Sequence, residues 1–366
     1  MRKLSFMSLE RQTDALSAEI LSAVREVCEN RDFTGGKHVE EFERAFAAWL
    51  GLPGFVGASS GTASLLLALR ACRVQSGNEV IVPANTFIAT AWAPVYLGAK
   101  PVFADCDPFT WEIDPADVER KITPNTKAII GVHLYGQAFP AAEILSIARA
   151  GGLHLVEDCA QAQGTICQGR RAGQWGDAAC YSFYPSKNLG ACGDAGGLSL
   201  ADEQSERLVR RLRTHGSERR YYHDEVGYNM RMGGFQAAIL LKKLPYLEEW
   251  NNQRAHIYRL YRTHIRNPRI VFQAERPDTK PAWHLAVCCV DDREKFLSHM
   301  EDAGIDCGIH YPIPCHLQKA FSYLDYREGD FPHTEYLASH CVSLPLFPEL
   351  TESEISLVID VCNRYG

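Results

Sequence analysis

Six short apolar runs, separated by segments with a helical pattern, constrain the fold of this 366-residue chain more than any other feature. The runs are rich in Val, Ile and Phe and are bounded by Gly, Pro or Asp; they cover residues 54–58, 79–83, 101–105, 127–132, 154–158 and 178–183. Runs of this kind are typical of parallel strands that helices bury on both faces. The pattern predicts an α/β protein with a large, doubly wound, mixed but mostly parallel sheet.

The length and the change of pattern along the chain predict a large domain followed by a smaller one. We expect three units: an N-terminal helical segment (1–30), a large domain (31–250) and a smaller C-terminal α+β domain (251–366). In the last unit, residues 286–290 are predicted to form a strand and residues 292–303 a helix.

Composition excludes several classes of function. The chain carries 38 Lys and Arg against 45 Asp and Glu, a net charge of −7, and has no basic stripe for nucleic acid. No apolar run approaches the roughly 18–20 residues of a membrane span. Thirteen cysteines without a C-x-x-C pair indicate reduced thiols in a cytoplasmic protein. No metal is expected, because His310 and His316 are separated by prolines and lack an obvious third ligand.

Two residues at the ends of predicted strands indicate a specific chemistry. Asp158 closes the run 154–158, and Lys187 follows the run 178–183 in a loop. In parallel sheets, ligands bind beyond the carboxyl ends of the strands, so the two side chains are expected at one site. A lysine that forms a Schiff base and an aspartate that holds a pyridinium nitrogen are what pyridoxal phosphate needs from its protein. The pair predicts a transaminase-type enzyme with Lys187 and Asp158 as catalytic residues.

A phosphate site is predicted at the start of a helix. Ser60, Gly61 and Thr62 follow the first run and open a helical segment, where free backbone N–H groups and the helix dipole favour an anion. The alternative is an ordinary helix N-cap, since serine and threonine are common there. Ser182, at a strand end before the lysine, is a second candidate phosphate donor.

Two more side chains are candidates for the cofactor ring. Phe87 follows a strand and begins a helix, so its ring could stack on the pyridine; the alternative is a core phenylalanine. Gln161, just after Asp158, could reach the phenolic oxygen of the ring; the alternative is a solvated glutamine at a helix start. The glycines at 190, 193, 196 and 197 do not have the spacing of a dinucleotide-binding loop.

These motifs resemble the DegT/DnrJ/EryC1/StrS family, the pyridoxal-phosphate nucleotide-sugar aminotransferases of fold type I. The matching segments cover nearly the whole chain in order: 60–62, 83–87, 132–137, 157–161, 182–190, 227–232 and 310–312. The resemblance implies that Lys187 carries the cofactor and shuttles a proton, Asp158 holds the ring nitrogen, Gln161 binds the phenolate and Phe87 stacks. It also implies that Gly61, Thr62 and Ser182 bind the phosphate.

The resemblance further implies a homodimer with shared sites, because Asn229 matches the family residue that reaches the phosphate of the neighbouring subunit. Tyr311 and His316 match a loop near the sugar. Arg219 and Arg231 are candidates for anionic groups, either the donor carboxylate or the nucleotide diphosphate; the alternative for each is a surface or structural arginine.

The implied reaction has two halves in one site. L-glutamate leaves its amine on the cofactor as pyridoxamine phosphate and departs as 2-oxoglutarate, and a keto-sugar nucleotide then accepts the amine, which is ping-pong kinetics. The segment 216–229 most resembles members that aminate C3 of a dTDP-3-keto-6-deoxyhexose. A dTDP- or UDP-4-keto-6-deoxyhexose is the second candidate and an inosose the third. A pyridoxal-phosphate-binding regulatory protein without turnover is the alternative of another class.

Overall fold

The computed structural model describes residues 3–366. Its α-helices begin and end as follows: α1 Glu10–Ala15, α2 Ser17–Asn30, α3 Gly36–Leu50, α4 Gly61–Ala71, α5 Ile88–Val95, α6 Pro115–Lys121, α7 Ala141–Ala150, α8 Glu203–Leu212, α9 Gly234–Lys243, α10 Leu247–His264, α11 Arg293–Asp302, α12 Pro332–His340 and α13 Glu352–Arg364. Short 3₁₀ helices occupy Leu134–Gly136, Leu244–Tyr246, Cys315–Leu317 and Lys319–Leu324.

The strands belong to three sheets. They are β1 Val56–Ala58, β2 Glu79–Pro83, β3 Lys100–Ala104, β4 Thr126–Val132, β5 His154–Asp158, β6 Ile166–Cys167, β7 Arg170–Arg171, β8 Ala178–Ser182, β9 Gly196–Leu200, β10 Ile270–Phe272, β11 Thr279–Lys280, β12 Ala286–Val290 and β13 Cys341–Leu344. All six apolar runs of the sequence contain a strand of the largest sheet.

The largest sheet has seven strands in the order β1-β9-β8-β5-β4-β2-β3. The pairs β5–β8, β4–β5, β2–β4 and β2–β3 are parallel, while β9 runs antiparallel to both β1 and β8. Helices cover both faces, and the apolar residues of the strands are buried between them. The predicted α/β fold with a mixed, mostly parallel sheet is therefore confirmed.

Strand β9 was not predicted, because its glycines resemble a loop. The structure shows why glycine is required at two of its positions. A Cβ on Gly196 would lie 2.2 Å from the carbonyl carbon of Ser60, and one on Gly197 would lie 2.3 Å from the ring of Phe55. These glycines let β9 approach β1 and the residues on either side of it.

A smaller antiparallel sheet, in the order β10-β12-β13, lies in the C-terminal part of the chain. It shares an apolar core with α10, α11 and α13. The expected strand at 286–290 and helix at 292–303 correspond to β12 and α11. The expected domain boundary at 250 falls within α10, whose first residues pack with the large sheet and whose later residues pack with the small one. That boundary stays a prediction.

The N-terminal segment forms two helices that divide at Leu16. Ala23 and Val27 of α2 pack on Ala238 and Ile239 of α9. Among residues 3–366, no helix combines the length and apolar character needed to cross a membrane.

Candidate active site

A cleft of about 430 Å³ lies beyond the carboxyl ends of the parallel strands. Its walls come from residues that follow β1, β2, β4, β5 and β8, together with residues of the C-terminal part. Nine of the predicted site residues line it: Ser60, Gly61, Thr62, Phe87, Asp158, Gln161, Ser182, Lys187 and Tyr311. Sites of this size and position are usual for small-molecule ligands in α/β proteins.

Lys187 stands on a tight turn after β8, where its backbone N–H donates to the carbonyl of Tyr184 at 2.8 Å. Burial in the cleft lowers the pKa of Lys187 to about 8, although the nearby charge of Asp158 opposes this effect. A lysine with such a pKa has a substantial neutral fraction near neutral pH. It can therefore act as a nucleophile and exchange protons.

Asp158, the last residue of β5, is buried with both carboxylate oxygens hydrogen-bonded. Oδ2 accepts from Thr90 Oγ1 at 2.8 Å, and Oδ1 accepts from the backbone N–H of Ala160 at 3.1 Å. Burial raises the pKa of Asp158, while the bonds from Thr90 and Ala160 oppose the rise. A cationic ligand group beside this carboxylate would favour its charged form further.

The first turn of α4 faces the same cleft. Ser60 Oγ accepts a hydrogen bond from the backbone N–H of Ala63 at 3.1 Å, so Ser60 is the N-cap of this helix. The backbone N–H groups of Gly61 and Thr62 lie in the first turn of α4 and have no acceptor within the helix. They are therefore available to an anion. A Cβ on Gly61 would lie 2.9 Å from Cβ of Ser182, which shows how closely Ser182 approaches this helix end.

Aromatic and amide side chains form the opposite part of the cleft. Phe87 is 51% exposed, so it is not a core phenylalanine, and its ring centroid lies 5.6 Å from that of Tyr311. Gln161 is buried: its Nε2 donates to the Tyr311 hydroxyl at 3.1 Å, and its Oε1 accepts from the backbone N–H of Tyr135 at 2.6 Å. Since Tyr311 accepts from Gln161, its own hydroxyl proton is free to donate into the cleft.

Four predicted site residues do not line this cleft. Asn229 and Arg219 are exposed, and the Arg219 guanidinium lies 4.5 Å from the ring centre of Tyr222. Arg231 is half-buried in a segment that bridges to Ala58 at the end of β1. These three positions lie outside the cleft of their own chain.

His316 does not line the cleft of its own chain, and its place near the sugar stays a prediction. His316 is buried, its Nε2 pairs with Glu335 at 3.0 Å, and its ring packs 4.6 Å from that of Phe331. The carboxylate partner lies nineteen residues further along the chain, and nothing in the proline-rich loop indicates it. In this structure His316 supports the loop that carries Tyr311 instead of lining the cleft.

Several residues of the site were not predicted from the sequence. Thr90 bonds Asp158, while Tyr184, His284 and His310 line the cleft. Burial lowers the pKa of His310 to about 4, with a further contribution from Lys187, and its Nδ1 lies 2.8 Å from Ser343 Oγ. The predicted strand at 286–290, which follows His284, and the tyrosine within the lysine loop were the available signals, but neither identifies a cleft residue by itself.

The residues present fit pyridoxal phosphate. The cleft brings together an amine of lowered pKa, a buried carboxylate, a helix N-terminus for a phosphate and an aromatic ring. These are the groups that this cofactor requires, and they come from separate segments of the chain.

Comparison with known proteins agrees with the geometry. The model of the DegT/DnrJ/EryC1/StrS aminotransferase family matches residues 14–363. The chain belongs to this family. The aminotransferase class expected from Lys187 and Asp158 is thereby confirmed.

Two individual proteins are similar to this chain over nearly their full length. The dTDP-3-amino-3,6-dideoxy-alpha-D-galactopyranose transaminase of Aneurinibacillus thermoaerophilus is 41% identical, with 99% of each chain covered. A protein of Geobacillus stearothermophilus named "Pleiotropic regulatory protein" is 39% identical, with 97% of this chain and 96% of that protein covered.

Two solved structures that are similar to this chain have the same fold. DesV of S. venezuelae, in complex with a ketimine intermediate, superposes with a TM-score of 0.98 at 37% identity, covering 100% of this chain and 99% of that one. NtdA of Bacillus subtilis, with bound cofactor PMP, has a TM-score of 0.93 at 32% identity, covering 99% and 85%.

Proposed function

We propose that this chain is a pyridoxal-phosphate aminotransferase that moves an amino group from L-glutamate to a keto-sugar nucleotide. The observation that carries the proposal is the meeting of Lys187, Asp158 and the first turn of α4 in one cleft. The family membership gives the class of reaction. NtdA, which has the same fold, contains the pyridoxamine form of the cofactor.

When bound, pyridoxal phosphate supplies an electron sink for the carbon that loses or gains the amine. Asp158 would hold a protonated ring nitrogen by charge, and Phe87 would stack on the ring. Ser60, Gly61, Thr62 and Ser182 would hold the phosphate. Gln161 would orient the phenolic oxygen, alone or through Tyr311.

Lys187 would bind the cofactor covalently. It would afterwards carry the proton between a carbon of the cofactor and the substrate carbon that loses or gains the amine. Its pKa of about 8 suits this role, because general acid–base groups are most effective when their pKa lies near the working pH. The carboxylate of Asp158 partly opposes the loss of charge on this lysine.

The sugar acceptor is proposed to be a dTDP-3-keto-6-deoxyhexose. The transaminase of A. thermoaerophilus, whose name specifies a dTDP-3-amino sugar, supports C3 as the position that is aminated. Tyr311 lies in the cleft where a sugar hydroxyl could bond to it, while Arg219 and Arg231 would serve the anionic parts of a substrate. A comparison of 3-keto and 4-keto nucleotide acceptors at equal concentration tests this assignment; a preference for the 4-keto sugar would replace it.

A homodimer with shared sites is part of the proposal, because Asn229 is exposed and lies outside the cleft of its own chain. Mixing a Lys187→Ala chain with an Asn229→Ala chain tests it. In a mixed dimer one site has both its own lysine and the partner's asparagine, so the mixture should recover about a quarter of the wild-type activity if dimers form at random. An activity equal to the average of the two separate variants would show that Asn229 acts within its own chain.

A cytoplasmic location belongs to the same proposal. All thirteen cysteines are free in the structure, and eleven of them are not exposed. Free thiols are compatible with a reducing compartment.

The deciding experiment is an absorbance spectrum of the protein with pyridoxal phosphate before and after the addition of glutamate. An aminotransferase should lose the visible band of the lysine-linked cofactor while a pyridoxamine band grows. A regulator is the second candidate, favoured by the name of the Geobacillus relative; it would keep the visible band unchanged with every amino donor. No visible band after incubation with the cofactor would contradict the assignment of Lys187.

A further inference from the structure

The side chain next to Lys187 is held by a complete set of hydrogen bonds. Asn188 is buried, and its Nδ2 donates to Asn251 Oδ1 at 2.8 Å and to the carbonyl of Ala282 at 2.9 Å. Its Oδ1 lies 3.0 Å from Nδ1 of His284. Asn188 therefore links the lysine loop, the helix α10 and the segment that carries His284.

These bonds determine which nitrogen of His284 carries a proton. Asn251 Nδ2 donates to the carbonyl of Gln163 at 2.7 Å, so the oxygen of Asn251 faces Asn188. Asn188 must then present its amide hydrogens to Asn251 and Ala282 and its oxygen to His284. An amide oxygen can only accept, so Nδ1 of His284 is protonated, and Nε2 of the neutral ring has a free lone pair.

His284 remains neutral in this environment. Burial lowers its pKa well below the usual value, with further contributions from the positive charges of Lys187 and Arg254. Arg254 donates to the carbonyl of His284 at 3.3 Å. His284 and Lys187 both line the cleft, and because the Nδ1 edge of the ring is bound to Asn188, the opposite Nε2 edge is the one available to the cleft.

We propose that His284 is a positioning residue for Lys187: its unprotonated Nε2 accepts a hydrogen bond from the lysine amine whenever that amine is free in the cleft. Asn188 acts indirectly, because its hydrogen bond to Nδ1 fixes the tautomer of His284. The bond keeps the released amine beside the reacting carbon, and no proton leaves the lysine in this step. The inference rests on the proposed aminotransferase function.

The first test uses single turnovers with glutamate and with α-deuterated glutamate. His284→Met introduces an apolar side chain of similar length and removes the ring nitrogen that accepts the bond. We expect amine transfer to slow by about 10- to 100-fold as positioning is lost. The deuterium isotope effect should rise, because the proton transfer by Lys187 becomes more rate-limiting. His284→Gln retains a side-chain oxygen and should restore part of the rate. His38→Gln is the matched control, since His38 is a buried histidine paired with Asp32 outside the cleft.

The second test does not depend on turnover. In the cofactor-free protein, the rate of covalent capture of pyridoxal phosphate rises with pH as Lys187 loses its proton. An acceptor at His284 stabilises the charged amine, so His284→Met should move the midpoint to lower pH by about half a unit to one unit. ¹⁵N NMR of the wild-type protein reads the tautomer directly and needs no variant.

Different results would contradict the role of His284 and the aminotransferase function. Protonation at Nε2 instead of Nδ1, or a His284→Met protein with the wild-type isotope effect and wild-type pH midpoint, would overturn the role of His284. If wild-type protein captures the cofactor but never transfers an amine from any donor, the proposed function fails, while the pH midpoint and the NMR spectrum still decide the role of His284.

Discussion

Thr90 donates a hydrogen bond of 2.8 Å from its hydroxyl to Oδ2 of Asp158, and this contact joins the start of α5 to the end of β5. The bond favours the ionised carboxylate, against the burial that raises the pKa of Asp158. Thr90 therefore maintains the charge that a protonated ring nitrogen requires.

Replacing Thr90 by valine should weaken binding of the cofactor. A hydrogen bond to a charged group is worth about 1.5–3 kcal/mol, which corresponds to a rise of about 10- to 100-fold in the dissociation constant of pyridoxal phosphate. Titration of cofactor-free protein, followed by absorbance, measures this constant. Thr13→Val, on the exposed surface of α1, is the control; equal constants for the Thr90→Val and Thr13→Val proteins would exclude the role of Thr90.

Gly61→Ala should reduce binding of the phosphate more than binding of the ring. The new Cβ would lie 2.9 Å from Cβ of Ser182, so the helix end and the Ser182 strand must move apart by some tenths of an ångström. A displacement of this kind disturbs the amides that would face the phosphate. We expect the variant to lose affinity for pyridoxal phosphate and to bind pyridoxal, which has no phosphate, almost as well as wild-type protein. An equal loss of affinity for pyridoxal phosphate and for pyridoxal would show that the phosphate does not bind at this helix end.

The sequence predicted those parts of the fold in which the pattern of buried residues lies within a single segment of the chain. Apolar runs rich in β-branched residues identified six of the seven strands of the large sheet. The rule that parallel strands present their carboxyl ends to one site brought Asp158 and Lys187 together. The N-cap at Ser60 was also foreseeable, because it depends only on the next three residues.

Contacts between distant segments were not predictable in the same way. Thr90 lies 68 positions before Asp158, and only the packing of α5 on the sheet brings the two side chains together. The glycines of β9 lack the apolar pattern of a strand, because their role is to admit a neighbouring backbone. His284 belongs to the site through a bond to Asn188, a residue 96 positions earlier.

The reactivity of Lys187 should depend on pH in a way that Asp158 controls. The neutral amine is the reactive form, so capture of pyridoxal phosphate by cofactor-free protein should increase as pH rises through about 8, the pKa of this lysine. An ordinary lysine would require a pH near its usual pKa of about 10.4. Because the charge of Asp158 raises the pKa of Lys187, Asp158→Asn should move the midpoint to lower pH. Lys187→Ala should show no capture, and a midpoint above pH 10 in wild-type protein would contradict the burial of this amine.

The first and last α-helices are joined by a charge pair whose contribution should depend on pH. Arg11 of α1 donates to both carboxylate oxygens of Glu354 in α13, at 2.6 and 2.8 Å. Hydrogen bonding to Arg11 lowers the pKa of Glu354 to about 2. The folded-state pKa is below the unfolded one, so the stabilisation is complete above the usual glutamate pKa and is lost as pH falls toward 2.

A double-mutant cycle with Arg11→Ala and Glu354→Gln measures this pair. Glutamine keeps a side chain that can bond the backbone of Thr351 at the N-cap of α13, so the helix start is preserved. We expect a coupling of about 0.5–1 kcal/mol in the free energy of unfolding by urea at pH 7, since the pair is partly exposed. At pH 3 the coupling should be smaller, because the unfolded chain then binds a proton at Glu354 while the folded chain resists it. A coupling that is unchanged between the two pH values would show that the contact is held by packing and not by charge.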